Sequence, residues 1–180
     1  MIKIVLIATA LLALNGCKST KNAVQEIGQN TAEEKNVLKE SADDEFSRST
    51  VGVSITREEF NSDKTDILRI IGELSVVMAN NDYDSWLKYI DPESVKYWSS
   101  PRNLLNASKR IPQKIRLSSL NDYFRYVFVP SRSGRFVEEI RYISHDSVKA
   151  VQVRDKLDIV YYNFVRVNEK WMVNLPELHE

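Results

Sequence analysis

Side chains able to act as a general acid or base are present, but their positions favour structural roles. The available carboxylates are those of Asp82, Asp84, Asp122, Glu138 and Glu139. The three aspartates stand where helices are predicted to begin, and an aspartate at a helix start caps free backbone N–H groups. The two glutamates are consecutive in a predicted strand, so they must face opposite sides. The sequence therefore predicts no catalytic pair of carboxylates.

The sequence likewise gives little support for a metal site, a phosphate-binding loop or a catalytic nucleophile. His145 lies in a predicted hairpin turn and His179 near the chain end, and neither is close to a plausible nucleophile. No combination of His, Cys and acidic residues has metal-ligand spacing. The five glycines are isolated, so no glycine-rich phosphate loop is present in the sequence. We expect no catalytic residue, no bound metal and no cofactor.

The N-terminal segment predicts export and a lipid anchor. A positively charged start precedes an apolar run at residues 4–14, which has the length of a secretory signal core and is too short to span a bilayer. The run ends in Leu14-Asn15-Gly16-Cys17, which resembles the lipobox of bacterial lipoproteins. The resemblance implies that residues 1–16 are a cleaved signal peptide and that the Cys17 thiol carries diacylglycerol. It also implies attachment to a bacterial cell membrane, at the outer membrane or the periplasmic face. The alternative is an ordinary signal peptide with a chance cysteine.

Residues 17–60 are expected to hold the lipidated cysteine and a flexible tether. Residues 18–45 are polar and charged and contain no aromatic side chain, so they cannot bury enough apolar surface to offset their chain entropy. The segment that follows allows two interpretations. Val51, Val53 and Ile55 alternate with other residues as in a short edge strand, or they form an apolar end of the tether. The folded domain is expected at residues 61–180.

Helices are predicted in the first part of that domain. Apolar residues recur at helical spacing from Ile67 to Met78, after possible caps at Asn61 and Asp63. Shorter helices are predicted to start near capping residues, and a final apolar stripe should end at Pro130. The predicted starts are at Asp82, Asp91, Ser100 and Ser119.

Strands are predicted after the helices. Runs rich in Val, Ile, Tyr and Phe occur at residues 136–143, 148–153, 157–167 and 171–175. The short breaks between them are typical of antiparallel hairpins, so we expect one four-stranded meander. The fold class is therefore α+β, with helices packed on the sheet. Side chains alternate between the two faces of the third strand. Either Tyr161 and the residues on its face, or Val160, Tyr162 and Phe164 on the other face, must therefore point inward.

The order of elements resembles the nuclear transport factor two-like fold, a cone also seen in ketosteroid isomerase, whose curled sheet wraps the first helix. The likeness covers residues 61–175. Some phrases are also similar to those of a group of uncharacterised bacterial lipoproteins. These phrases are Asp82-Tyr83-Asp84-Ser85-Trp86-Leu87, Asp91-Pro92-Glu93, Asp122-Tyr123-Phe124 and Val129-Pro130-Ser131-Arg132-Ser133. The first resemblance implies a cone that some members use for catalysis with an acidic base. The second resemblance implies a location in the cell envelope and does not imply any activity.

Aromatic residues supply one possible binding signal, although most aromatic side chains belong to cores. The candidate ligand-binding residues are Trp86, Tyr89, Trp98, Tyr126, Tyr162 and Trp171. Positive charge supplies another, because basic residues greatly outnumber acidic ones between residues 96 and 135. They form either a solvated face or a surface that attracts anionic headgroups or an acidic envelope partner. The residues concerned are Lys96, Arg102, Lys109, Arg110, Lys114 and Arg116.

We therefore expect a lipid-anchored cell-envelope protein that binds a protein or a small ligand without catalysis. The whole chain has 25 basic and 25 acidic residues, which together with export argues against a nucleic-acid partner. The alternatives are a carrier that holds a small apolar ligand in the cone and an isomerase- or dehydratase-like enzyme. A cavity would favour the carrier, and an inward-facing carboxylate beside a tyrosine would favour the enzyme.

Overall fold

Four strands form one open antiparallel sheet in the computed structural model, which describes residues 45–112 and 114–178. They are β1 (Glu139–Ser144), β2 (Ser147–Arg154), β3 (Leu157–Val167) and β4 (Lys170–Asn174), hydrogen-bonded in that order. Each connection is a two-residue turn. Asp155, Lys156, Asn168 and Glu169 all have positive φ, the backbone conformation of hairpin turns that match the strand twist. The predicted four-stranded meander is confirmed.

The helices precede the sheet, and some of them begin at residues whose side chains cap the backbone. They are α1 (Arg57–Ala79), α2 (Tyr83–Leu87), α3 (Pro92–Trp98), α4 (Pro101–Arg110), α5 (Leu120–Tyr123) and α6 (Val129–Arg132), with a π-helix at Phe124–Phe128. The side chains of Asp82, Asp91 and Ser119 accept backbone N–H groups at the starts of α2, α3 and α5, as predicted. None of the helices within these described segments has the length and hydrophobicity needed to cross a bilayer.

The long helix α1 begins earlier than predicted. Its N-cap is Thr56, whose hydroxyl accepts the Glu59 N–H while the Glu59 carboxylate accepts the Thr56 N–H. This reciprocal capping box satisfies two free donors, so it sets the start of the helix more strongly than Asn61 does. The compact unit that contains α1 spans Ala42–Glu180. The folded part therefore reaches further toward the N terminus than the predicted boundary at residue 61.

Residues 45–49 are helical and cover the free edge of β1. Ser49 donates its hydroxyl to the Ile140 carbonyl, and Glu45 accepts the Ile140 N–H at 3.3 Å. Residues 50–52 form a turn in which Gly52 has a φ of +78°, so the proposed edge strand around Val51 is not formed. The side chains of Ser49 and Glu45 bind the backbone of Ile140, so they cover the β1 edge without a paired strand.

The helical run around Pro130 does not end there, contrary to the prediction. Pro130 lies inside α6, because the preceding π-helix shifts the hydrogen-bond pattern and removes the need for a proline N–H. The Val129 N–H reaches back to the Phe124 carbonyl, and Ser131 donates its hydroxyl to the Val127 carbonyl at 2.7 Å. A side-chain donor thus binds a carbonyl of the last turn, and the run continues to Arg132.

One buried cluster joins α1 to the sheet. The buried apolar residues of α1 are spaced along one face, and the inward face of β3 carries Tyr162 and Phe164. Val160, which shares that face by alternation, is 42% exposed because the β2–β3 register shifts between Ala150 and Val151. The inward set is therefore only part of the one predicted from alternation.

Several predictions concern residues outside the described ranges. These are the signal peptide at residues 1–16, the lipid attachment at Cys17, the tether at residues 18–44 and the position of His179.

Candidate functional site

A buried carboxylate that the sequence analysis took for a helix cap lies between α1 and the sheet. Asp63 is 6% exposed, and its Oδ2 accepts the Tyr142 hydroxyl at 2.7 Å and Arg166 Nη2 at 2.7 Å. Its Oδ1 accepts Trp171 Nε1 at 2.9 Å. The Arg166 guanidinium also lies over the Trp171 ring at 4.3 Å. This is an inward-facing carboxylate beside a tyrosine, the feature expected of an enzyme.

The donors around Asp63 nevertheless oppose a role as general base. Both carboxylate oxygens are already occupied, and a bound guanidinium is the strongest hydrogen-bond partner a carboxylate can have. Burial, and after it the hydrogen bond to Asp63, raises the pKa of the Tyr142 hydroxyl far above its ordinary value. A tyrosine held neutral in this way is a fixed donor. The network joins α1 to β1, β3 and β4 and acts as a structural link.

A cleft of about 780 Å³ opens beside this network, and several of its charged side chains are paired. Arg69 bridges Asp66 at 3.5 Å and Glu73 at 2.9 Å. His145 lies 3.3 Å from Asp146 and 3.7 Å from a carboxylate oxygen of Glu59. Glu169 and Lys170 also line the cleft, so its charged groups are of both signs and do not favour a ligand of either charge.

A second cleft, of about 450 Å³, has the opposite character. We name it the Trp98 cleft; it lies among α3, α4, the π-helix, α6 and the C-terminal segment. Its walls include Trp98, Tyr123, Tyr126, Val127, Pro130 and Leu178, and also Ala107, Arg110, Ile111, Pro112, Ser131 and Pro176. An apolar wall with a few polar groups is typical of sites that bind small molecules. Neither an acidic residue nor a histidine is among these described lining residues.

The wall of the Trp98 cleft contains an enclosed N–H donor that has no partner in the described part of the chain. Trp98 lines the cleft, is 2% exposed and stacks on Tyr123 with ring centroids 4.3 Å apart. Within the described part of the chain, Nε1 of Trp98, Nε1 of Trp86 and Nε of Arg132 have no hydrogen-bond acceptor. Buried donors are almost always paired in folded proteins, and leaving one unpaired costs about 1–3 kcal/mol. Trp98 thus places one unpaired donor in the wall of this cleft, and Nε of Arg166 in the Asp63 network likewise lacks a hydrogen-bond acceptor among the described residues.

Arg132 is the most unusual of these donors. Its guanidinium lies 4.0 Å from the Phe128 ring centroid and 5.2 Å from that of Tyr162. Its Nη1 donates to the Ser131 hydroxyl, which belongs to the cleft wall, at 2.9 Å. Burial lowers the pKa of the Arg132 guanidinium, and burial likewise raises that of the Tyr123 hydroxyl. No ion pair to Arg132 is found among residues 45–112 and 114–178.

The aromatic candidates from the sequence separate into three groups. Trp86 and Tyr162 are core residues, at 0% and 2% exposure. Trp171 belongs to the Asp63 network, and the Tyr89 hydroxyl donates to Glu73 at 3.1 Å. Only two of the candidates line the cleft that has unpaired donors, and these are Trp98 and Tyr126.

The predicted basic surface is partly assembled by α4. Arg102, Lys109 and Arg110 line a further cleft of about 450 Å³, which shares Arg110 and Leu178 with the Trp98 cleft. Arg116 lines another cleft with Arg102. Lys96 lies apart, 3.8 Å from Glu93 on the same helix, and Lys114 has a φ of +55° in the following loop.

The carboxylates considered for catalysis have other partners. Asp82 and Asp122 cap helices, and the hydrogen bond from the Ser85 backbone lowers the pKa of Asp82. Glu139 pairs with Arg48 at 2.8 Å and with Arg141 at 2.7 Å. Asp84 lies in the first turn of α2, and Glu138 accepts the Val153 N–H at 3.4 Å. In the described part of the chain no group of three or more His, Cys, Asp or Glu residues is arranged to hold a metal ion.

Comparison with known proteins gives one informative similarity. The chain is 30% identical over 120 residues to an uncharacterized lipoprotein of Treponema pallidum (strain Nichols). The aligned part is 66% of this chain and 64% of the relative, so the chain spans less than two thirds of the relative's length. No protein-family model matches the chain, and no solved structure matches it. The protein is thus similar to a bacterial lipoprotein.

Proposed function

We propose that the protein is a lipid-anchored, non-enzymatic binding module of the bacterial cell envelope. The lipobox-like sequence at Cys17 and the similarity to a treponemal lipoprotein support the anchor. The observation that carries the binding role is the Trp98 cleft, whose apolar wall contains a buried indole N–H without an acceptor. A small apolar molecule with an acceptor group would fill the cleft and satisfy that donor.

Binding fits the geometry better than catalysis does. Acid–base chemistry requires a carboxylate or histidine with a free atom facing the substrate. The buried carboxylate of Asp63 has no free oxygen, because Tyr142, Arg166 and Trp171 occupy both. The Trp98 cleft, in turn, contains no described group that could take a proton at neutral pH.

We extend the proposal to the architecture, a cone of the nuclear transport factor two-like type. The order of a long first helix, short helices and an antiparallel meander supports it. So does the shared buried cluster, in which α1 residues such as Ile67 and Leu74 join sheet residues such as Phe164 and Val173. In such a cone the Trp98 cleft would be an opening lined by the short helices and the C-terminal segment.

An anionic surface is a second candidate partner, favoured by one observation. Arg102, Lys109 and Arg110 come together on one side of α4, beside Asn103 and Asn106. Basic side chains near a membrane each contribute about 1 kcal/mol of attraction to anionic headgroups. Such attraction would hold the anchored domain close to a lipid surface.

The binding role predicts that an uncharged apolar dye enters the Trp98 cleft. Tyr126, which lines the cleft, is 46% exposed, and Leu105 of α4, which lies outside it, is 47% exposed. Tyr126→Ser should raise the Kd for N-phenyl-1-naphthylamine by about 3- to 10-fold, since one aromatic contact contributes about 0.5–1.5 kcal/mol. Leu105→Ser removes a similarly exposed apolar side chain and should leave the Kd unchanged. Fluorescence titration measures both; equal losses in the two variants, or no dye binding at all, would contradict the proposed site.

The anchor predicts a defined effect of one substitution. Cys17→Ser should abolish labelling of the chain by a radioactive fatty acid and should move it from the membrane fraction to the soluble fraction. The reason is that two or three acyl chains, at about 0.8 kcal/mol per buried methylene, give stable attachment whereas the polar chain does not. Ser19→Ala, two residues further on, is the matched control and should keep both label and membrane attachment. A Cys17→Ser chain that remains labelled would refute the lipid anchor.

A further inference from the structure

A half-buried arginine, Arg132, lies next to the Trp98 cleft and has no counter-ion among the described residues. The Arg132 guanidinium packs on the Phe128 and Tyr162 rings, and its Nε is inaccessible to solvent and unpaired. Aromatic faces attract a cation, but they do not accept its N–H hydrogen bonds as a carboxylate does. The Arg132 side chain as a whole is half-buried, and a charge that is partly removed from water is costly unless an acid pairs with it. Other arginines of the domain follow that rule: Arg166 pairs with Asp63, and Arg141 chelates Asp158 at 2.9 and 3.0 Å.

The field of Arg132 acts on one end of the cleft. Arg132 donates to the hydroxyl of Ser131, and both Ser131 and Tyr123 form part of the cleft wall. The guanidinium also lies 5.2 Å from the ring centroid of Tyr162. Since the described wall holds no acidic residue, nothing in it opposes this positive potential. The cleft is therefore apolar along most of its length and electropositive near Tyr123 and Ser131.

We propose that the ligand of the Trp98 cleft is a small amphipathic anion, an apolar body bearing a carboxylate or sulfonate, with its anionic group at the Tyr123–Ser131 end beside Arg132. This inference rests on the proposed binding function of the cleft and specifies its ligand. The anion supplies a counter-charge for Arg132, and its oxygens accept the hydrogen bond that Nε1 of Trp98, on the cleft wall, does not make within the described chain. The apolar body covers Trp98 and Tyr126.

The donor set also excludes other ligand classes. A cationic ligand would be repelled by Arg132 and would find no described carboxylate in the wall. A neutral hydrocarbon would fill the apolar part but would leave the Arg132 charge uncompensated. Only an anion joined to an apolar body satisfies both parts of the cleft.

Two related dyes test the inference. N-phenyl-1-naphthylamine is uncharged, and 8-anilinonaphthalene-1-sulfonate has the same aromatic body with a sulfonate added. The full chain carrying Cys17→Ser is used, so that no attached lipid takes up the dyes. It should bind the sulfonate about 10-fold more tightly than the uncharged dye, the effect of one charge-assisted hydrogen bond. Sulfonate binding should also raise the thermal midpoint.

Arg132→Met, made in the same chain, tests the effect of the Arg132 charge separately from the effect of its packing. Methionine keeps an apolar stem against Phe128 and removes the uncompensated charge, so the thermal midpoint of the empty protein should be unchanged or higher. The preference for the sulfonate should fall to about 1-fold while the Kd for the uncharged dye stays the same. Arg135→Met is the matched control, because Arg135 is exposed, lies three residues further on and contacts Tyr161 at 5.8 Å. That variant should keep the preference.

The outcomes are distinct. If neither dye binds, the proposed function itself fails. If the chain that keeps Arg132 binds the uncharged dye, and binds the sulfonate no more tightly, the cleft is a binding site and the anionic ligand is refuted. If Arg110→Met removes the preference and Arg132→Met does not, the assignment to Arg132 is overturned. A preference lost only in Arg132→Met, with the midpoint maintained, supports the proposal.

Discussion

Replacing Asp63 by alanine should lower the free energy of unfolding by about 3–5 kcal/mol, the usual effect of removing one partner of a buried ion pair. The carboxylate receives donors from Tyr142, Arg166 and Trp171, and Arg166 would keep its charge without the partner that now compensates it. Because these three donors lie on β1, β3 and β4, the loss affects the attachment of α1 to the whole sheet. Urea unfolding followed by circular dichroism would measure it.

A neighbouring aspartate provides the control for that experiment. Asp66 is on the same helix, less than one turn further on, and its side chain is 53% exposed beside Arg69. Exposed ion pairs contribute little because water screens them, so Asp66→Ala should leave the urea midpoint nearly unchanged. Asp63→Asn keeps the shape of the side chain but removes the charge that compensates Arg166. Its urea midpoint should lie between those of Asp63→Ala and Asp66→Ala. Equal midpoints for Asp63→Ala and Asp66→Ala would show that the network does not stabilise the fold.

The Asp63 network also shows why the sequence could not reveal which carboxylate matters. An aspartate after Asn61 and Ser62 has the pattern of a helix cap, and that is how it was interpreted. The structure starts α1 at Arg57, which places Asp63 inside the helix. It then lies four residues before Ile67, on the same apolar face as the buried residues of α1. A polar residue on an apolar stripe was the available signal, but its partners are on strands roughly 80–110 residues away in the chain.

The regular elements were more predictable because their causes are local. Capping by Asp82, Asp91 and Ser119 depends on residues three positions apart, and β3 was predicted at its observed bounds from its apolar pattern alone. The errors arose where tertiary contacts override local signals. Residues 45–49 cover a strand edge from a distant part of the chain, and a π-helix lets Pro130 remain within a helical run.

The candidate site was predicted only in part. Trp98 and Tyr126 were included among the aromatic candidates, but composition does not distinguish a cleft aromatic from a core aromatic such as Trp86. Arg132 was not singled out, since a lone arginine near Pro130 resembles any exposed basic residue. Its enclosure depends on Phe128 from the same helical run and Tyr162 from β3. That arrangement exists only after the sheet has packed on the helices.

The second large prediction concerns the inner face of β3 and whether side chains fill the interior of the domain there. Tyr162 is 2% exposed and packs against Phe128 and Phe164 with ring centroids 6.2 and 6.0 Å apart. Its strand partner on β2 is Ala150, a small residue that leaves room for the tyrosine ring. Truncating a large side chain in such a packed site leaves a cavity that neighbours on two sides cannot close. A ring that merely lined an empty pocket would have no such neighbours to lose.

Tyr162→Ala should therefore lower the free energy of unfolding by about 3–5 kcal/mol in the absence of any ligand. Tyr161→Ala is the matched control, because the same residue type precedes Tyr162 on β3 and is only half-buried, with its hydroxyl 3.3 Å from Gln152. Tyr161→Ala should lower the free energy of unfolding by about 1 kcal/mol, which is typical of a partly exposed position. Chemical unfolding of both variants gives the comparison. If Tyr162→Ala is no more destabilising than Tyr161→Ala and abolishes dye binding, the ligand occupies the interior beside Tyr162, and the Trp98 cleft is its entrance.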